Sequence, residues 1–360
     1  MDEFDCRTRI ISGYGTVQHL AELEAKRLFL VTDPYFVQNG VADRVAAAAK
    51  AERVEVFSEI KPDPTVELAA EGTARLRAFE ADVIVALGGG SAMDCAKAMA
   101  YFAKGDGKLV AIPTTSGSGS EVTDFAILTH KKVKHPLIDR RLQPELAILD
   151  GELLAQLPPS LVADGGFDVL AHALESYVAK GAGVFTDALA REAFQSAYSM
   201  LPASFAGRTE VRLKVHQAAT MAGMAFSKAG LGLCHAMSHS LGGLFHVPHG
   251  RLNAILLPSV VGFNAHVAGE KYARIARAAG IGGSADTLAV RNLRNSLVRL
   301  RRDLKLPETL VQAGIAPRDV WAATENIVEA TLADPCCASN PMKVEDFVVR
   351  RILEEVTGRV

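Results

Sequence analysis

Two runs decide how this chain is read: DGGFDVLAHALESY at residues 164–177 and GLGLCHAMSHSLGGLFHVPHG at 230–250. Both carry ionisable side chains inside apolar, helix-forming sequence. Asp168 and His172 are four apart, so on a helix they share one face. His235 and His239 repeat that spacing, and His246 and His249 follow. Four histidines within fifteen residues stand among Leu, Met, Phe, Gly and Ala, with no Lys or Arg before Arg251. Imidazoles in apolar surroundings need partners. One carboxylate and three imidazoles, Asp168, His172, His235 and His249, make a complete ligand set for a divalent transition metal. The set accepts Fe2+ or Zn2+, and affinity alone favours Zn2+.

Outward from that centre, the sequence divides in two. Residues 1–153 alternate apolar strand runs with amphipathic helices. The strands expected are Arg27–Thr32, Val54–Phe57, Asp82–Leu87, Leu109–Pro113 and the LAILD run. The helices between them are Val41–Lys50, Pro64–Glu80 and Ser91–Ala103. Repeated units of this kind imply a parallel sheet with helices on both faces, an α/β, Rossmann-like dinucleotide-binding domain. Residues 154–360 show no strand run. Helices are expected over Ala163–Val178, Ala188–Ser199, Glu210–Ser227, Leu233–Phe245, Lys271–Ala279, Ala285–Leu304, Ala316–Ala330 and Val344–Glu355, giving an all-α second domain.

Two polar glycine loops follow adjacent strands of the first domain. Gly88-Gly89-Gly90-Ser91 opens a helix whose free N–H groups suit a pyrophosphate. Thr114, Thr115 and Ser118 stand in the second loop, TTSGSGS at 114–120. Nucleotides bind at that carboxyl edge in doubly wound sheets. Asp33, just past a strand, can cap the next helix and also accept from ribose hydroxyls. A carboxylate there repels a 2′-phosphate and favours NAD.

Composition bounds the rest. The 360 residues are 49% apolar and 22% charged, with formal net charge −2. Nothing there favours a nucleic-acid or membrane partner. Five cysteines, Cys6, Cys95, Cys234, Cys336 and Cys337, fit reduced thiols and a cytoplasmic setting. No uninterrupted run of about 18 apolar residues appears, so no membrane span is expected.

These blocks, GGGSAMDCAK (88–97), AIPTTSGSGSEVT (111–123), 164–177 and 234–250, together resemble the iron-dependent (group III) alcohol dehydrogenases. The resemblance runs from SGYGT at 12–16 to SNP at 339–341. Within that family, VFSEIKPDPT (56–65), AGMAFSKAGLGL (222–233) and FHVPHG (245–250) are nearest to the branch from propanediol-utilisation microcompartments. The resemblance implies the dehydroquinate synthase-like/iron-alcohol-dehydrogenase fold, with the active site in the cleft between the two domains. It implies Fe2+ on Asp168, His172, His235 and His249. It places Asp33 near the adenosine ribose, Gly89, Gly90 and Ser91 at the pyrophosphate, Asp94 among the cofactor contacts, and Thr114, Thr115 and Ser118 near the phosphates and nicotinamide. Phe226 and Cys336 match positions lining the substrate pocket. Phe167, where relatives carry a smaller residue, is placed to crowd the site.

The activity implied is reversible oxidation of a small primary alcohol, such as 1-propanol, to its aldehyde with NAD. His239 is either the proton relay or an orienter of a ligand. A homodimer is the family expectation, and residence among microcompartment shell or lumen proteins follows from the same resemblance. A glycerol or polyol dehydrogenase is the near alternative. A dehydroquinate-synthase-type lyase would need several cations in the pocket, and 164–179 and 231–250 contain none before Lys180 and Arg251.

Overall fold

The computed structural model describes residues 4–131 and 133–358. They form two compact units, one of residues 5–157 and one of Phe4 with residues 158–358.

In the first unit, eight strands run β1 (Arg9–Gly13), β2 (Arg27–Thr32), β3 (Arg53–Phe57), β4 (Val83–Gly88), β5 (Lys108–Pro113), β6 (Phe125–His130), β7 (Val133–Ile138) and β8 (Leu146–Asp150). The helices are α1 (Pro34–Gln38), α2 (Val41–Ala49), α3 (Val66–Phe79) and α4 (Gly90–Ala103). Six strands make an all-parallel sheet ordered β1-β8-β5-β4-β2-β3. Its central strands are buried on both faces because side chains alternate. Phe29 and Val31 of β2 enter the core under α3 and α4. Leu28 and Leu30 enter the opposite core with Val45 and Val85. The chain leaves β2 toward β3, then crosses to β4 on the other side. That reversal is the switch point where doubly wound sheets hold ligands. In register, Thr32 lies beside Leu87 and Gly88 beside Pro113, so Asp33, Gly89 and Thr114 each begin just past adjacent strand ends.

Strands β1, β6 and β7 were not expected. β1 is a short edge strand with a mostly exposed face. β6 and β7 form a separate antiparallel hairpin. Pro136 inside β7 and the polar THKKVKH run hid the period-2 signal.

The second unit is helical: α5 (Pro159–Val178), α6 (Val184–Phe205), α7 (Arg212–Ala229), α8 (Leu233–Phe245), α9 (His249–Ala278), α10 (Asp286–Asp303), α11 (Pro317–Ala322), α12 (Thr324–Ala333), α13 (Pro335–Ser339) and α14 (Asp346–Thr357). α5 is central, packed on α6, α7 and α9, and buried almost all round from Val162 onward. α9 runs far longer than the expected Lys271–Ala279. By length and composition it could cross a membrane, yet 67% of its most apolar window is buried inside this unit, which makes it a core helix.

Pro258 lies inside this helix and has no N–H for the Ala254 carbonyl. Arg301 of α10 supplies the missing donor: its Nη1 reaches Ala254 O at 3.2 Å and Ile255 O at 3.4 Å. Arg294 Nε donates to Pro258 O at 2.9 Å. With those carbonyls satisfied, the helix continues through the proline. The expected helix over Ala316–Ala330 is likewise two short ones, α11 and α12, separated at Ala323.

Candidate active site

A buried helix that carries several carboxylates and an imidazole must partner every one. On α5, Asp164 is held by Arg251 of α9 through two parallel bonds, Nε–Oδ1 at 3.1 Å and Nη2–Oδ2 at 2.9 Å. Asp168, His172 and Glu175 lie one turn apart on a single stripe. Phe167 sits about 100° round the helix from Asp168 and is fully enclosed.

The four expected metal donors converge. Asp168 Oδ1 is 3.5 Å from His249 Nε2, 3.7 Å from His235 Nε2 and 3.9 Å from His172 Nε2. Donors about 2.1 Å from one ion in tetrahedral array stand about 3.4 Å apart; the donor atoms of Asp168, His172 and His235 all lie within 4.8 Å of one another, and His249 joins them through Asp168 Oδ1. Every imidazole presents the same nitrogen. Their rings are packed: His172 stacks on His235 at 4.5 Å between centroids, and Phe226 covers the other face of His172 at 4.3 Å.

Electrostatics agree with the geometry. Desolvation alone would raise Asp168, but the imidazoles of His172, His249 and His235 override it and hold the carboxyl well below its usual range. Burial works against charge on His235, yet bonds to Asp168 and Glu175 lift it to about 9. Burial, with the neighbouring imidazoles adding to it, pushes His249 well below its ordinary value against the pull of Asp168. An anionic oxygen ringed by imidazole nitrogens is the arrangement a divalent cation satisfies, displacing the protons those nitrogens hold.

Around the donors stands a shell that sequence reasoning missed. Asn253, one turn after His249 on α9, donates from Nδ2 to Asp168 Oδ1 at 2.8 Å. Its Oδ1 accepts from the Ser238 hydroxyl and from the Cys234 thiol on α8. Glu175 accepts from His235 Nδ1 at 2.7 Å. Asp334, at the start of α13, takes His239 Nδ1 at 2.9 Å and caps Cys336 N at 2.8 Å. Glu175 and Asn253 were findable, since each continues a ligand-bearing helix face at i+3 or i+4. Asp334 is 95 residues from His239 and left no local signal.

His239 itself stacks on His249, 5.1 Å between centroids and 14° between planes. It therefore joins the cluster without meeting Asp168. Cys336 is partly buried beside Asp334, and desolvation pushes its thiol well above the ordinary value. His246 caps the end of α8 in the left-handed conformation, φ 55°.

In the first unit the glycine loops meet. A Cβ on Gly89 would lie 3.2 Å from Thr115 Oγ1, and one on Gly90 would lie 3.3 Å from Ser118 Cβ. A Cβ on Gly88 would lie 3.7 Å from Asp33 Oδ2. Gly89, the N-cap of α4, supplies no side-chain cap, which leaves the first-turn N–H groups for an anion. Asp33 caps α1 through Tyr35 N at 3.0 Å, and burial raises its pKa. Thr114 is buried, its N–H on Gly88 O at 2.9 Å.

Asp94, expected among the cofactor contacts, is partly buried, and both its carboxylate oxygens accept hydrogen bonds from the chain. Oδ1 accepts from the Ser120 hydroxyl at 2.7 Å and Oδ2 from Ile127 N at 3.1 Å. Close by, the fully buried Lys97 ammonium bonds Ser120 Oγ, Thr123 Oγ1, Thr123 O and Phe125 O at 2.8–3.0 Å. Asp94 and Lys97 therefore brace the second loop from below.

Comparison with known proteins gives the same picture. Residues 7–151 match the iron-containing alcohol dehydrogenase model, and 162–357 match the C-terminal model of the Fe-containing alcohol dehydrogenase family. The chain is 40% identical to the 1-propanol dehydrogenase PduQ of Salmonella typhimurium, over 99% of this chain and all of that one. A solved 1,3-propanediol oxidoreductase superposes with TM-score 0.93 at 31% identity, covering 99% of this chain and 100% of the other. Sulfoacetaldehyde reductase from Bifidobacterium kashiwanohense, solved in complex with NAD+, superposes with TM-score 0.90 at 26% identity over 99% and 98%. With matches along nearly its whole length and a four-donor cluster on the residues its own chemistry selects, the chain belongs to the iron-containing alcohol dehydrogenase family.

Proposed function

We propose that this alcohol dehydrogenase interconverts a small primary alcohol, 1-propanol or a close homologue, with its aldehyde, using NAD(H) and Fe2+. The observation that carries the reading is the convergence of three Nε2 atoms within 3.5–3.9 Å of Asp168 Oδ1. When bound, the metal supplies a Lewis acid for the substrate oxygen and the nicotinamide a hydride acceptor.

The chain's own residues do the positioning. Asp168, His172, His235 and His249 hold the cation, with Zn2+ the alternative for the same donors. Asp33, Gly89, Gly90, Ser91, Thr115 and Ser118 offer the ribose acceptor and phosphate donors of a dinucleotide site. His239, with Nδ1 tied to Asp334, has Nε2 as the atom that takes up or returns the alcohol proton. Phe226 walls the His172 side with an apolar ring, which favours a short alkyl substrate. Arg251, two residues after His249, is already held by Asp164, so it offers nothing to a phosphorylated or carboxylated substrate. The PduQ relative supports the C3 alcohol in particular. A homodimer and a place among microcompartment proteins belong to the same reading; light scattering tests the first and co-purification with shell proteins the second.

The test is NADH oxidation by metal-loaded enzyme with propanal, dihydroxyacetone and no carbonyl, repeated with NADPH. Propanal should be preferred, and activity should vanish on chelation and return with Fe2+. A preference for dihydroxyacetone would move the assignment to a polyol dehydrogenase. Loaded enzyme inactive on both would end it.

A further inference from the structure

We infer that Glu175 is the positioning residue of the metal centre: it fixes the tautomer of His235 and ties the start of α8 to α5. This rests on the metal-centre reading above and goes beyond it by assigning a function to a residue that is not a ligand.

Glu175 is 2% exposed and gathers four N–H donors. Oε2 accepts from Gly232 N at 3.0 Å, His235 N at 3.2 Å and His235 Nδ1 at 2.7 Å. Oε1 accepts from Cys234 N at 2.7 Å. Three of these are backbone donors at the opening turn of α8, which has no cap from its own N-cap residue, Gly232. Glu175 therefore caps α8 from another helix, and Asn340 completes the cap by accepting from Leu233 N at 3.2 Å. The approach is close enough that a Cβ on Gly232 would lie 2.7 Å from Glu175 Oε1 and 2.8 Å from Asn340 Oδ1. Glycine at 232 lets both acceptors reach the helix end.

The fourth donor is the informative one. An imidazole that gives its Nδ1 proton to a carboxylate keeps the Nε2 lone pair, and His235 Nε2 is the atom facing Asp168 Oδ1. Because Glu175 shares a helix stripe with Asp168 and His172, one rigid helix sets two ligands directly and the third through its partner. A Gln at 175 cannot reproduce this. Whichever way its amide turns, an N–H₂ group meets either Cys234 N–H or the three donors on the other side. Relief at His235 would require the tautomer with its proton on Nε2, which cannot bind a metal there.

The experiment measures Co2+ affinity by chelator competition, and the Co2+ d–d spectrum, for the full chain and for Glu175→Gln. The expected result is a 10- to 100-fold weaker affinity for the variant with an altered spectrum. Weakening confined to thermal stability, with Co2+ affinity and spectrum unchanged, would overturn the proposal and leave the metal centre standing. If wild-type chain bound no Co2+, the metal-centre reading and this proposal would both fall. As a measurement independent of any variant, histidine-selective 15N NMR of the Zn2+-loaded wild type should show His235 protonated at Nδ1 and metal-bound at Nε2. Metal on Nδ1 would overturn the inference.

Discussion

Gly250 and the Asp164 carbonyl touch backbone to backbone: a Cβ at 250 would overlap that oxygen. This contact brings α9 against α5 one residue after His249, and Arg251 locks it with the two bonds to Asp164. Ligands carried by α5, α8 and α9 meet at one ion only if the helices approach this closely. Gly250→Ala should therefore push α9 outward, at about 1–3 kcal/mol of stability for the overpacking. The metal should suffer more than the fold. Metal content per chain after dialysis, compared with the shift in Tm, checks this; full metal retention would count against it.

Asn253 serves two helices at once. Its NH₂ must face Asp168, which can only accept, and its carbonyl then receives the Ser238 and Cys234 hydrogens. Asn253→Ala would strip the carboxylate of that donor and orphan the α8 hydroxyl. Leaving such buried groups unpaired costs about 1–3 kcal/mol. Metal affinity should drop about 10- to 100-fold as Asp168 loses its fixed orientation. Asn253→Asp should be worse than Ala for stability of the metal-free chain, since it sets a second carboxylate against Asp168. Chemical denaturation with and without Zn2+ separates the two effects.

The metal ligands were legible because chemistry and periodicity coincided: imidazoles in an apolar run must be paired, and one shared cation pairs several at once. The parallel sheet was legible in its buried strands, Arg27–Thr32 and Val83–Gly88, whose apolar runs nothing interrupts. What stayed hidden depended on partners far along the chain. α9 continues through Pro258 because Arg301 stands 43 residues on. Asp334 meets His239 across 95 residues, from the junction of α12 and α13. Asp94 followed a cofactor motif, but the donors that hold its carboxylate, Ser120 and Ile127, lie in a loop and hairpin that sequence alone could not place.

Asp33 offers a test of cofactor choice. Its carboxylate stands at the switch point beside Gly88, where an adenosine ribose would lie under the proposed reading. Asp33→Ala should remove a repulsion to a 2′-phosphate and a hydrogen-bond acceptor for the 2′-hydroxyl together. The ratio of kcat/KM for NADPH over NADH should rise about tenfold or more, about 1.4 kcal/mol. The same change removes the cap on Tyr35 N, so about 1 kcal/mol of stability should be lost as well. Asp33→Asn, which keeps a cap, should shift the cofactor ratio with a smaller stability cost. An unchanged ratio in both variants would place the ribose elsewhere.

Lys97 tests the loop brace and carries a pH signature. Four oxygens surround Nζ, and both hydroxyls among them direct their own hydrogens elsewhere, Ser120 to Asp94 and Thr123 to Ser120 O. Four acceptors suit an ammonium better than an amine. Burial nevertheless lowers Lys97 to about 8, with Asp94, Glu121 and Asp124 opposing the shift. The folded pKa lies below the unfolded value near 10.5, so between those pH values the unfolded chain binds the extra proton. This contribution to stability is therefore full above about pH 10.5 and is lost as pH falls through about 8, with a slope up to about 1.4 kcal/mol per pH unit. Lys97→Met removes that slope. It also leaves the buried acceptors of Ser120, Thr123 and Phe125 without their donor, a loss of about 1–3 kcal/mol, and frees the loop over 114–123. Dinucleotide affinity should fall while metal content stays at the wild-type level. Urea titrations of wild type and variant at pH 7, 8, 9 and 10 read the slope, and equilibrium binding of NADH reads the loop. Equal pH slopes in the two proteins would mean that Lys97 does not titrate in this window, and unchanged NADH binding would remove the loop brace from the dinucleotide site.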